Sequence, residues 1–504
     1  MSQDEITNGD LTGETSAVER QNEQTRIRRE KLEVSQKDGD DPFRYVSYPV
    51  DAASLRLKRE FEATEGRRVC VAGRMMSRRL MGKASFIDVL DGEGRIQAYV
   101  RSDAVGPESY EKFKSFDIGD VVGVKGAVFK TNAGEVSVKA DEIVLLSKSL
   151  RALPEKFHGL KDQELRYRQR YLDLIVNPEI KDVFTKRTAI IKSIRSFLDE
   201  RGFLEVDTPV LQTFAGGGTA RPFGTKHNAL DLDMSLRIAL ELPLKKLIIG
   251  GMERVYELGR CFRNEGISTK HNPEFIMLEL YEAYSDYNAM MELTEALVRN
   301  AALSALGTLS FKYGEHEIDL AKPFKKITMA EAVREHSGVD FDKIRTIDEA
   351  RAAADKSGVR YLSRHGKGKI LELFFDEFAE EHMIQPTFVL DHPVEISPLT
   401  KRKPDNPDYT ERFELFIVGR EHANAYSELN DPVDQRRRFE DQEQMKAAGD
   451  DEANMIDEEF IRAMEYGMPP TGGMGMGVER LIMLLTNSQS IRDVIFFPAM
   501  KPLS

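Results

Sequence analysis

The chain has 504 residues, of which 41% are hydrophobic and 31% are charged, and its formal net charge is −13 at pH 7. This length predicts two or three domains, because a single hydrophobic core stops growing near roughly 250–300 residues. The acidic balance excludes a chain that coats nucleic acid indiscriminately, and no run of residues reaches the roughly 18 apolar positions that a membrane helix needs.

The cysteines and the N-terminus indicate the compartment. Cys70 and Cys261 are the only cysteines, and neither belongs to a CxxC pair or has a histidine at metal-ligand spacing. That usage predicts a reducing environment, with no disulfide framework and no structural zinc. The first residues lack the basic-then-apolar pattern of a secretory signal. We therefore expect a cytoplasmic protein that has no membrane partner.

The first part of the chain predicts a polar extension followed by a small β-barrel. Residues 1–40 are polar; VERQNEQTRIRREKLEV (18–34) predicts a charged helix, and the residues before it predict disorder. Residues 65–150 contain short alternating runs, with a hairpin turn at 91–94 and a helix at 107–116. About five strands and one helix in that length fit an OB-fold, although another small barrel would give the same pattern.

A basic stretch lies in the first strands of this region. Six basic residues and no acidic residue lie between Arg67 and Lys83. Such a surface on an acidic protein suits a selective RNA contact, in which phosphates position the nucleic acid and bases specify it. The same charges suit a solvated strand edge that is protected from pairing, and the stretch alone leaves both interpretations open.

The rest of the chain predicts an α+β domain. We predict a linker at 151–180 and a second domain at 181–504, in which strand patterns such as RIALEL (237–242) and FIMLELYEAY (275–284) mix with helical patterns. Residues from about 285 to 385 are interpreted as a mainly helical insertion between two groups of strands. Strands in runs with segregated helices predict an antiparallel sheet flanked by helices, not a doubly wound sheet.

The segment FRNEGISTKHNPEF has the composition of a nucleotide cradle, although the chain has no P-loop and no glycine fingerprint between a strand and a helix. Arg263 can bind a phosphate with two parallel hydrogen bonds. Glu265, on the same side of a predicted strand, can accept a hydrogen bond from an exocyclic amine of a base. Lys270 and His271 can meet a polyphosphate tail, and Phe275 can stack under a base. An exposed charged hairpin is the alternative.

A glycine run, GGMGMG (472–477), leads into a predicted helix that carries Arg480. Glycines there let the backbone approach a ligand closely. Arg480, about one turn into the helix, can point back over them. Tight packing of a helix on a sheet gives the same pattern, so the run by itself leaves both interpretations open.

Three segments resemble, in the right order, the motifs of class II aminoacyl-tRNA synthetases. RGFLEVDTPVLQ, with Pro209, resembles motif 1, FRNEGISTKHNPEF resembles motif 2, and GMGMGVER, which ends in Arg480, resembles motif 3. The OB-like N-terminal domain places the chain in the subgroup that contains the aspartyl and asparaginyl enzymes. Longer stretches such as AGRMMSRRLMGKASF and SELNDP narrow the resemblance to bacterial-type lysyl-tRNA synthetases, over nearly the whole chain from about residue 65.

The resemblance implies an ATP-dependent ligase with an OB-fold anticodon-binding domain and a class II catalytic domain. Such an enzyme activates L-lysine with ATP to lysyl-adenylate, releases pyrophosphate, and transfers lysine to the 3′ end of tRNA(Lys). The resemblance also implies Mg²⁺ as cofactor and a homodimer, since motif 1 lies at the dimer interface of the family. The rivals are another amino-acid specificity of the subgroup, a relative that lysylates a protein and lacks the anticodon-binding domain, and a non-catalytic RNA-binding protein.

The resemblance further assigns residues to sites. The catalytic pair is Arg263 and Arg480. The ATP site comprises Arg263, Glu265, Lys270, His271, Asn272, Phe275, Glu421 and Arg480, with the adenine between Phe275 and Arg480. The lysine site comprises Gly216, Glu241, Arg263, Glu279, Tyr281, Asn424, Tyr426 and Glu428. The Mg²⁺ carboxylates are Glu414 and Glu421, and the readers of a U-rich anticodon are Arg79, Phe86, Gln97 and Glu135.

Charge supports lysine as the substrate. A buried ε-ammonium needs carboxylate partners, whereas an aspartate pocket needs basic residues, and Glu241 and Glu428 are acidic. Either glutamate can also be an ordinary strand charge. Tyr426 stands where the family leads us to expect phenylalanine and adds a hydroxyl to the pocket, while Ala423 and Ala425 stand where glycines are expected.

Two further expectations concern local geometry. Glu414 and Glu421 are seven residues apart, a spacing that a regular strand would place on opposite faces. A turn or bulge must therefore intervene, and Gly419 is available for it. Phe86, on a basic strand, suits base stacking, and a place in the core of the barrel is the alternative.

Overall fold

The structure, a computed structural model, describes residues 9–154, 160, 162–213, 216–218, 220–447 and 456–502. The chain divides into two compact units, Met1–Arg166 with Tyr171–Pro178, and Tyr167–Arg170 with Glu179–Ser504. In the described ranges no helix is both long and apolar enough to cross a membrane.

Within the described residues, the chain up to residue 178 forms seven α-helices and five strands. The elements are α1 (Gly9–Lys37), α2 (Ser54–Arg59), α3 (Phe61–Thr64), β1 (Arg68–Met81), β2 (Ala84–Leu90), β3 (Arg95–Arg101), α4 (Ser102–Val105), α5 (Pro107–Lys114), β4 (Val121–Lys130), β5 (Val136–Ser147), α6 (Gln163–Arg168) and α7 (Arg170–Val176).

These strands close into a barrel in the order β1, β2, β3, β5, β4. Side chains alternate between its core and its outer face: Ile87 and Val89 are buried in the core, whereas Phe86 lies half-buried outside it and stacks on Tyr99 with ring centroids 4.6 Å apart. The predicted OB-type barrel is confirmed. The alternative that Phe86 belongs to the barrel core is wrong, because the two-residue period of β2 turns it outward.

The N-terminal helix α1 is attached to the barrel unit by a buried arginine. The guanidinium of Arg28 donates to the carbonyl oxygens of Ile118 and Ser149. The helix begins at Gly9, so it includes residues for which the polar composition predicted disorder. No proline interrupts the turns between them, so nothing in the backbone ends the helix earlier. Residues 1–8 lie outside the described residues.

From residue 180 the described chain forms a second series of elements. They are α8 (Ile180–Asp199), β6 (Leu204–Glu205), β7 (Leu211–Gln212), β8 (Gly224–His227), β9 (Leu232–Leu236), α9 (Glu241–Ile249), β10 (Arg254–Phe262), β11 (Glu274–Ala283), α10 (Tyr287–Leu306), β12 (Ser310–Tyr313), β13 (His316–Asp319), β14 (Lys325–Thr328), α11 (Met329–Ser337), α12 (Ile347–Ser357), α13 (Lys367–Phe378), β15 (Thr387–Leu390), β16 (Arg412–Phe416), β17 (Glu421–Ser427), α14 (Pro432–Ala447), α15 (Glu458–Glu465), β18 (Thr471–Gly477), α16 (Val478–Leu485) and α17 (Ile491–Val494).

One large sheet organises this second unit. Its strands follow the order β14, β15, β16, β17, β18, β11, β10, β6. The interior pairs are antiparallel, as predicted, while the edge pairs β14 with β15 and β10 with β6 are parallel. Leu278 and Leu280 on β11 share one buried core with Ile194 of α8, Leu297 of α10 and Leu481 of α16. The alternate residues of β11 therefore face the other side of the sheet.

The segment RIALEL does not form the predicted strand. Helix α9 starts at Glu241, and Pro243 lies in its first turn, where a missing amide hydrogen breaks no intrahelical bond. A short apolar run does not by itself distinguish a buried strand from a helix. In α9, Glu241 and Lys245 therefore lie one helical turn apart on the same face.

The region from 285 to 385 contains helices and strands. Helix α10 packs against the sheet, and β12 and β13 form a two-stranded hairpin. Helices α11, α12 and α13 surround a core of their own, to which Val333, Phe341 and Phe374 belong. The region is helical with two additions, the hairpin and the edge strand β14.

Candidate active site

A cavity of about 400 Å³ lies in the second unit, on the face of the sheet that carries Glu279 and Tyr281 of β11. Its other walls come from β16, β17, β18, the first turns of α9 and α16, and the loops 263–273 and 396–400. Gly216 is not among its described lining residues, and its neighbours Gly217 and Gly218 are. The predicted ATP, lysine and metal residues that line it are Glu241, Arg263, Glu265, Lys270, His271, Asn272, Phe275, Glu279, Tyr281, Glu414, Glu421, Asn424, Tyr426, Glu428 and Arg480.

The residues predicted to hold ATP lie on and beside the loop between β10 and β11. The prediction that Arg263 and Glu265 lie on the same side of a strand is wrong. Strand β10 and its antiparallel ladder end at Phe262, so both residues lie in the loop that follows. The amide of Arg263 donates to the carbonyl oxygen of Pro273 at 2.9 Å and closes the neck of the loop. The guanidinium carbon of Arg263 lies 5.2 Å from the ring centre of Phe275, a cation–π arrangement. A planar base thus has an aromatic surface beside a fixed cation.

The tip of this loop is held by its own side chains. The amides of Lys270 and His271 donate to Ser268 Oγ at 3.1 Å. The side-chain oxygen of Asn272 accepts from a backbone amide of the C-terminal segment at 3.1 Å. Burial, and then the cation of Arg480, lower the pKa of His271. At neutral pH Lys270 therefore supplies the positive charge of the tip, and His271 is a neutral hydrogen-bonding group.

Arg480 lies in the first turn of α16 and is oriented by a predicted metal carboxylate. Its Nη1 donates to the main-chain oxygen of Glu421 at 2.7 Å and to Oε2 of the same residue at 3.0 Å. The preceding Glu479 accepts from Arg187 Nη2 at 2.9 Å and from the amide of Ile276 at 2.8 Å. Glu479 thereby ties the helix that presents Arg480 to α8 and β11.

Glu414 and Glu421 come together across a hairpin. A tight turn joins β16 to β17, with φ of +58° at Gly419, and the register shifts next to Leu415. The spacing predicted a turn or a bulge, and both are present. Burial raises the pKa of Glu414 to about 7, while Arg412, which donates to its Oε1 at 2.7 Å, acts in the opposite direction.

The two carboxylates fit a metal that arrives with a phosphate. In the part of the chain that the structure describes, no group of three or more His, Cys, Asp or Glu side chains is arranged to hold an ion. Glu414 and Glu421 alone do not complete a coordination shell. Mg²⁺ commonly takes one or two carboxylates and fills its other positions with substrate phosphates and water, and this donor set is of that kind.

The opposite end of the cavity is acidic and aromatic. The Tyr426 hydroxyl donates to Glu241 Oε1 at 2.8 Å, so the hydroxyl that departs from the expected phenylalanine orients a pocket carboxylate. Glu279 Oε1 accepts from the amide of Leu240 at 3.1 Å, and the Tyr281 hydroxyl donates to its Oε2 at 3.3 Å. Burial raises the pKa of Glu279 to about 7.

Two basic residues that the sequence reasoning missed complete this end. Lys245 Nζ lies 2.6 Å from Glu241 Oε1 and also contacts Glu428. Arg412 Nε donates to Asn424 Oδ1 at 3.0 Å and fixes that side chain. The spacing of four residues between Glu241 and Lys245 is a helical pair, which the strand assignment concealed. No signal in the sequence marked Arg412.

Gly473 on β18 leaves room for the acidic end. A Cβ atom there would overlap Glu428 Oε1 and lie 2.6 Å from a ring carbon of Tyr281. Gly473→Ala is therefore expected to lower the free energy of unfolding by about 2–3 kcal/mol, as overpacking does, measured by denaturant unfolding. The matched control is Gly475→Ala, whose Cβ would meet Met277 at 3.6 Å, an ordinary contact. An equal loss of stability in both variants would contradict this packing role.

The residues predicted to read an anticodon lie on neighbouring strands of the barrel in the first unit. The strand register places Phe86 opposite Arg79 on one side and opposite Tyr99 on the other. Gln97 lies on the same strand as Tyr99, and Glu135 immediately precedes β5, the next strand. Aromatic and charged side chains on one barrel surface suit the stacking of single-stranded bases.

Comparisons with known proteins agree with both units. The family described as tRNA synthetases class II (D, K and N) matches residues 162–501, and the family described as OB-fold nucleic acid binding domain matches residues 69–146. The chain therefore belongs to the class II tRNA synthetases of the D, K and N group.

Full-length relatives narrow the comparison. The lysine–tRNA ligase of Thermoanaerobacter pseudethanolicus is 58% identical over 96% of this chain and 97% of its own length. The lysine–tRNA ligase of Moorella thermoacetica is 57% identical over 96% of this chain and 99% of its own length, and that of Bacillus subtilis is 54% identical over 95% and 97%. The resemblance to lysyl-tRNA synthetases that the motifs carried is thus confirmed.

Proposed function

We propose that the protein is a lysine–tRNA ligase, which activates L-lysine with ATP and transfers it to the 3′ end of tRNA(Lys). The observation that carries the proposal is a single cavity with a cationic, aromatic end and an acidic end. Arg263, Lys270 and Phe275 suit a nucleoside triphosphate, and Glu241 and Glu428 suit an ammonium group. Full-length similarity to lysine–tRNA ligases supports the same assignment.

The first step would be a direct displacement at phosphorus. The α-carboxylate of lysine attacks the α-phosphorus of ATP in line, a new oxygen–phosphorus bond forms, and the bond to pyrophosphate breaks. The product is lysyl-adenylate, and no protein nucleophile is required. Arg263 binds the α-phosphate, and Arg480 balances the charge that develops on the departing pyrophosphate. Catalysis is then positioning together with electrostatic stabilisation.

The charges of the cavity set the orientation of lysine. Glu279 and the backbone at Gly216 are the partners of the α-ammonium, and Arg263 and Asn424 are the partners of the α-carboxylate. The ε-ammonium then reaches the acidic end. This orientation directs the carboxylate toward the nucleotide, with the adenine between Phe275 and Arg480.

Glu414 and Glu421 would hold Mg²⁺ together with phosphate oxygens. When bound, the ion supplies positive charge that neutralises the triphosphate. Glu421 also accepts from Arg480, so this carboxylate orients the arginine as well. Glu265 and Asn272 complete the nucleotide contacts from the loop.

In the second step the terminal ribose hydroxyl of tRNA attacks the carbonyl carbon of the adenylate. An ester bond to lysine forms, AMP leaves with the bonding electron pair, and the proton of the ribose hydroxyl is released. The barrel would recognise a U-rich anticodon through Arg79, Phe86, Gln97 and Glu135. Aminoacylation of a tRNA(Lys) transcript with labelled lysine tests the whole proposal; formation of lysyl-tRNA is expected, and a protein that makes the adenylate but never charges tRNA(Lys) would contradict it.

Phe86→Ala is expected to lower kcat/KM for tRNA aminoacylation by about 10- to 100-fold, since loss of one base–aromatic stack is worth about 1–3 kcal/mol. Lysine-dependent ATP–pyrophosphate exchange is expected to stay at the wild-type rate, because Phe86 lies in the other unit from the cavity. The neighbouring core variant Ile87→Ala serves as a control for unfolding of the barrel. Equal losses of exchange and of aminoacylation in Phe86→Ala would contradict the stacking role.

A homodimer and a cytoplasmic location stay predictions of the resemblance and of the composition. The homodimer rests on the resemblance of RGFLEVDTPVLQ to motif 1. Sedimentation velocity is expected to find a species of two chains, and a monomer at every concentration tested would contradict it.

A further inference from the structure

The acidic end of the cavity contains a lysine of the chain itself. Lys245 on α9 is completely buried, with its Nζ 2.6 Å from Glu241 Oε1 and in contact with Glu428 Oε2. Both glutamates line the cavity, whereas Lys245 does not, so Lys245 reaches them through the wall of the pocket. Glu428 Oε1 is buried and has no hydrogen-bond partner among the described residues.

We propose that Lys245 sets the charge of the lysine pocket as a permanent counter-ion, which leaves Glu241 and Glu428 with the charge needed to balance one substrate ammonium. The inference rests on the proposed function and deepens it. Two carboxylates carry two negative charges, and the Lys245 ammonium cancels one of them. The remaining single negative charge matches a side chain with one positive charge, so Lys245 is a specificity-determining residue that does not touch the substrate.

Electrostatics explains why such a counter-ion is needed. Two carboxylates that share a buried site do not both ionise without a cation, because desolvation and mutual repulsion favour the protonated form. Burial raises the pKa of Glu428 to about 8, and the Lys245 ammonium, which contacts its Oε2, offsets that increase only in part. Burial lowers the pKa of Lys245, but Glu241 and Glu428 outweigh that effect and raise it. Lys245 therefore stays protonated, and its positive charge favours the ionised form of the Glu241 and Glu428 carboxylates, which an incoming cation needs.

The other described groups that face Glu241 and Glu428 do not supply the positive charge that Lys245 contributes. Glu279 and Tyr281 face them from β11, and Tyr426 faces them from β17. Burial, followed by the neighbouring carboxylates, raises the pKa of both tyrosines well above the usual value, so they stay neutral. Arg263 slightly lowers the pKa of Glu279, and Arg412 slightly lowers the pKa of Tyr426; in each case this is the smallest of the effects on that group. Among the described residues, Lys245 is thus the cation that forms ion pairs with both carboxylates.

The same contact positions the pocket in advance. Glu241 Oε1 accepts from Lys245 and from Tyr426 at 2.6 and 2.8 Å, so one oxygen carries both internal contacts. Glu428 Oε1 accepts no hydrogen bond from the described residues. Fixing the carboxylates before the substrate arrives reduces the ordering that binding must impose.

A double-mutant cycle on the full-length protein tests the proposal, with KM for lysine in ATP–pyrophosphate exchange as the readout. Removing one partner from a buried charge pair is strongly unfavourable, so we expect Glu428→Gln to raise KM by about 100-fold and Lys245→Met to raise it by about tenfold. The double variant restores a single negative charge, so its KM is expected about tenfold below that of Glu428→Gln. Independent effects would instead multiply to about 1000-fold, and that result would overturn the proposal.

The pH dependence of Lys245→Met separates charge setting from a purely structural role. Without the cation the pKa of Glu428 rises further, so the carboxylate ionises, and the ammonium binds well, only at higher pH. The midpoint at which KM for lysine falls is expected about one pH unit above that of the wild type, or higher. An increase of KM by the same factor at every pH would overturn the charge role.

Two controls complete the experiment. Lys246→Met changes the next residue of α9, which pairs with the exposed Glu459 at 3.2 Å and does not line the cavity; its KM for lysine is expected to match the wild type. KM for ATP is expected to be the same in all variants, which reports a folded nucleotide site. If the wild type does not activate lysine, the proposed function fails; if it does and the cycle is multiplicative, only the role of Lys245 fails.

Discussion

Arg263→Ala is expected to abolish lysine-dependent ATP–pyrophosphate exchange, with kcat/KM reduced by about 10³-fold or more, since one preorganised group that stabilises developing charge contributes about 3–4 kcal/mol. Arg263 is fixed by the closed neck of its loop and by the ring of Phe275. It is also assigned to two partners, the α-phosphate and the lysine carboxylate. Its removal therefore weakens the nucleophile and the reaction centre together. Initial-rate measurements over a range of lysine and ATP concentrations check this.

The matched control for this variant is Arg260→Ala. Arg260 lies three residues earlier on β10, is exposed, and pairs with Glu274 instead of facing the cavity. Surface ion pairs contribute about 0–1 kcal/mol, so exchange is expected to stay near the wild-type rate. Near-normal exchange in Arg263→Ala would remove the basis of the proposed ATP site.

Glu241→Gln is expected to raise KM for lysine by about 10²- to 10³-fold, because a buried ammonium loses a charged partner and Lys245 loses one of its two carboxylate partners. KM for ATP is expected to change little, since Glu241 lies at the acidic end of the cavity, away from Lys270 and the loop tip. Exchange kinetics with each substrate varied in turn measure both constants. A parallel rise of the two KM values would indicate a collapsed cavity and not a specificity role.

Tyr426→Phe is the companion variant. It removes the hydroxyl that donates to Glu241 Oε1 at 2.8 Å and restores the residue expected from the family. One hydrogen bond to a charged group contributes about 1.5–3 kcal/mol, so its effect on KM for lysine is expected to be smaller than that of Glu241→Gln. An effect as large as that of Glu241→Gln would mean that the hydroxyl, and not the carboxylate, binds the substrate.

The nucleotide end of the cavity could be predicted from the sequence because its chemistry is local. Arg263, Lys270, His271 and Phe275 lie on one loop and the start of one strand, so their types and order already describe a cradle. Only the C-terminal end of β10 was placed wrongly, since nothing in the residue types shows that its pairing with β11 stops at Phe262.

The amino-acid end could not be predicted in the same way, because pairing between distant strands builds it. Glu279 of β11 and Asn424 of β17 both lie opposite Gly475 of β18, which brings residues far apart in the chain to one place. Local patterns contain no information on such pairing, and only the family resemblance joined these residues. Lys245 was missed because the short apolar run around Glu241 fits a strand and a helix equally well.

The barrel was predictable because alternation with a period of two is visible in its strands. The buried residues Ile87 and Val89 alternate with half-buried Phe86 and Asp88. That alternation, with the turn at 91–94, gave the strands and their order along the chain. The closing pair, parallel β3 and β5, joins strands separated by two helices and β4, and no sequence pattern revealed it.

Amino-acid-dependent ATP–pyrophosphate exchange measures whether this one cavity activates lysine with ATP. The purified wild-type protein is assayed with each standard amino acid in turn at saturating ATP and Mg²⁺. The acidic end formed by Glu241 and Glu428 leads us to expect rapid exchange with lysine, and none above background with aspartate or asparagine. Exchange that depends on aspartate or asparagine, or no exchange with lysine, would show that the cavity is not a lysine-activating site.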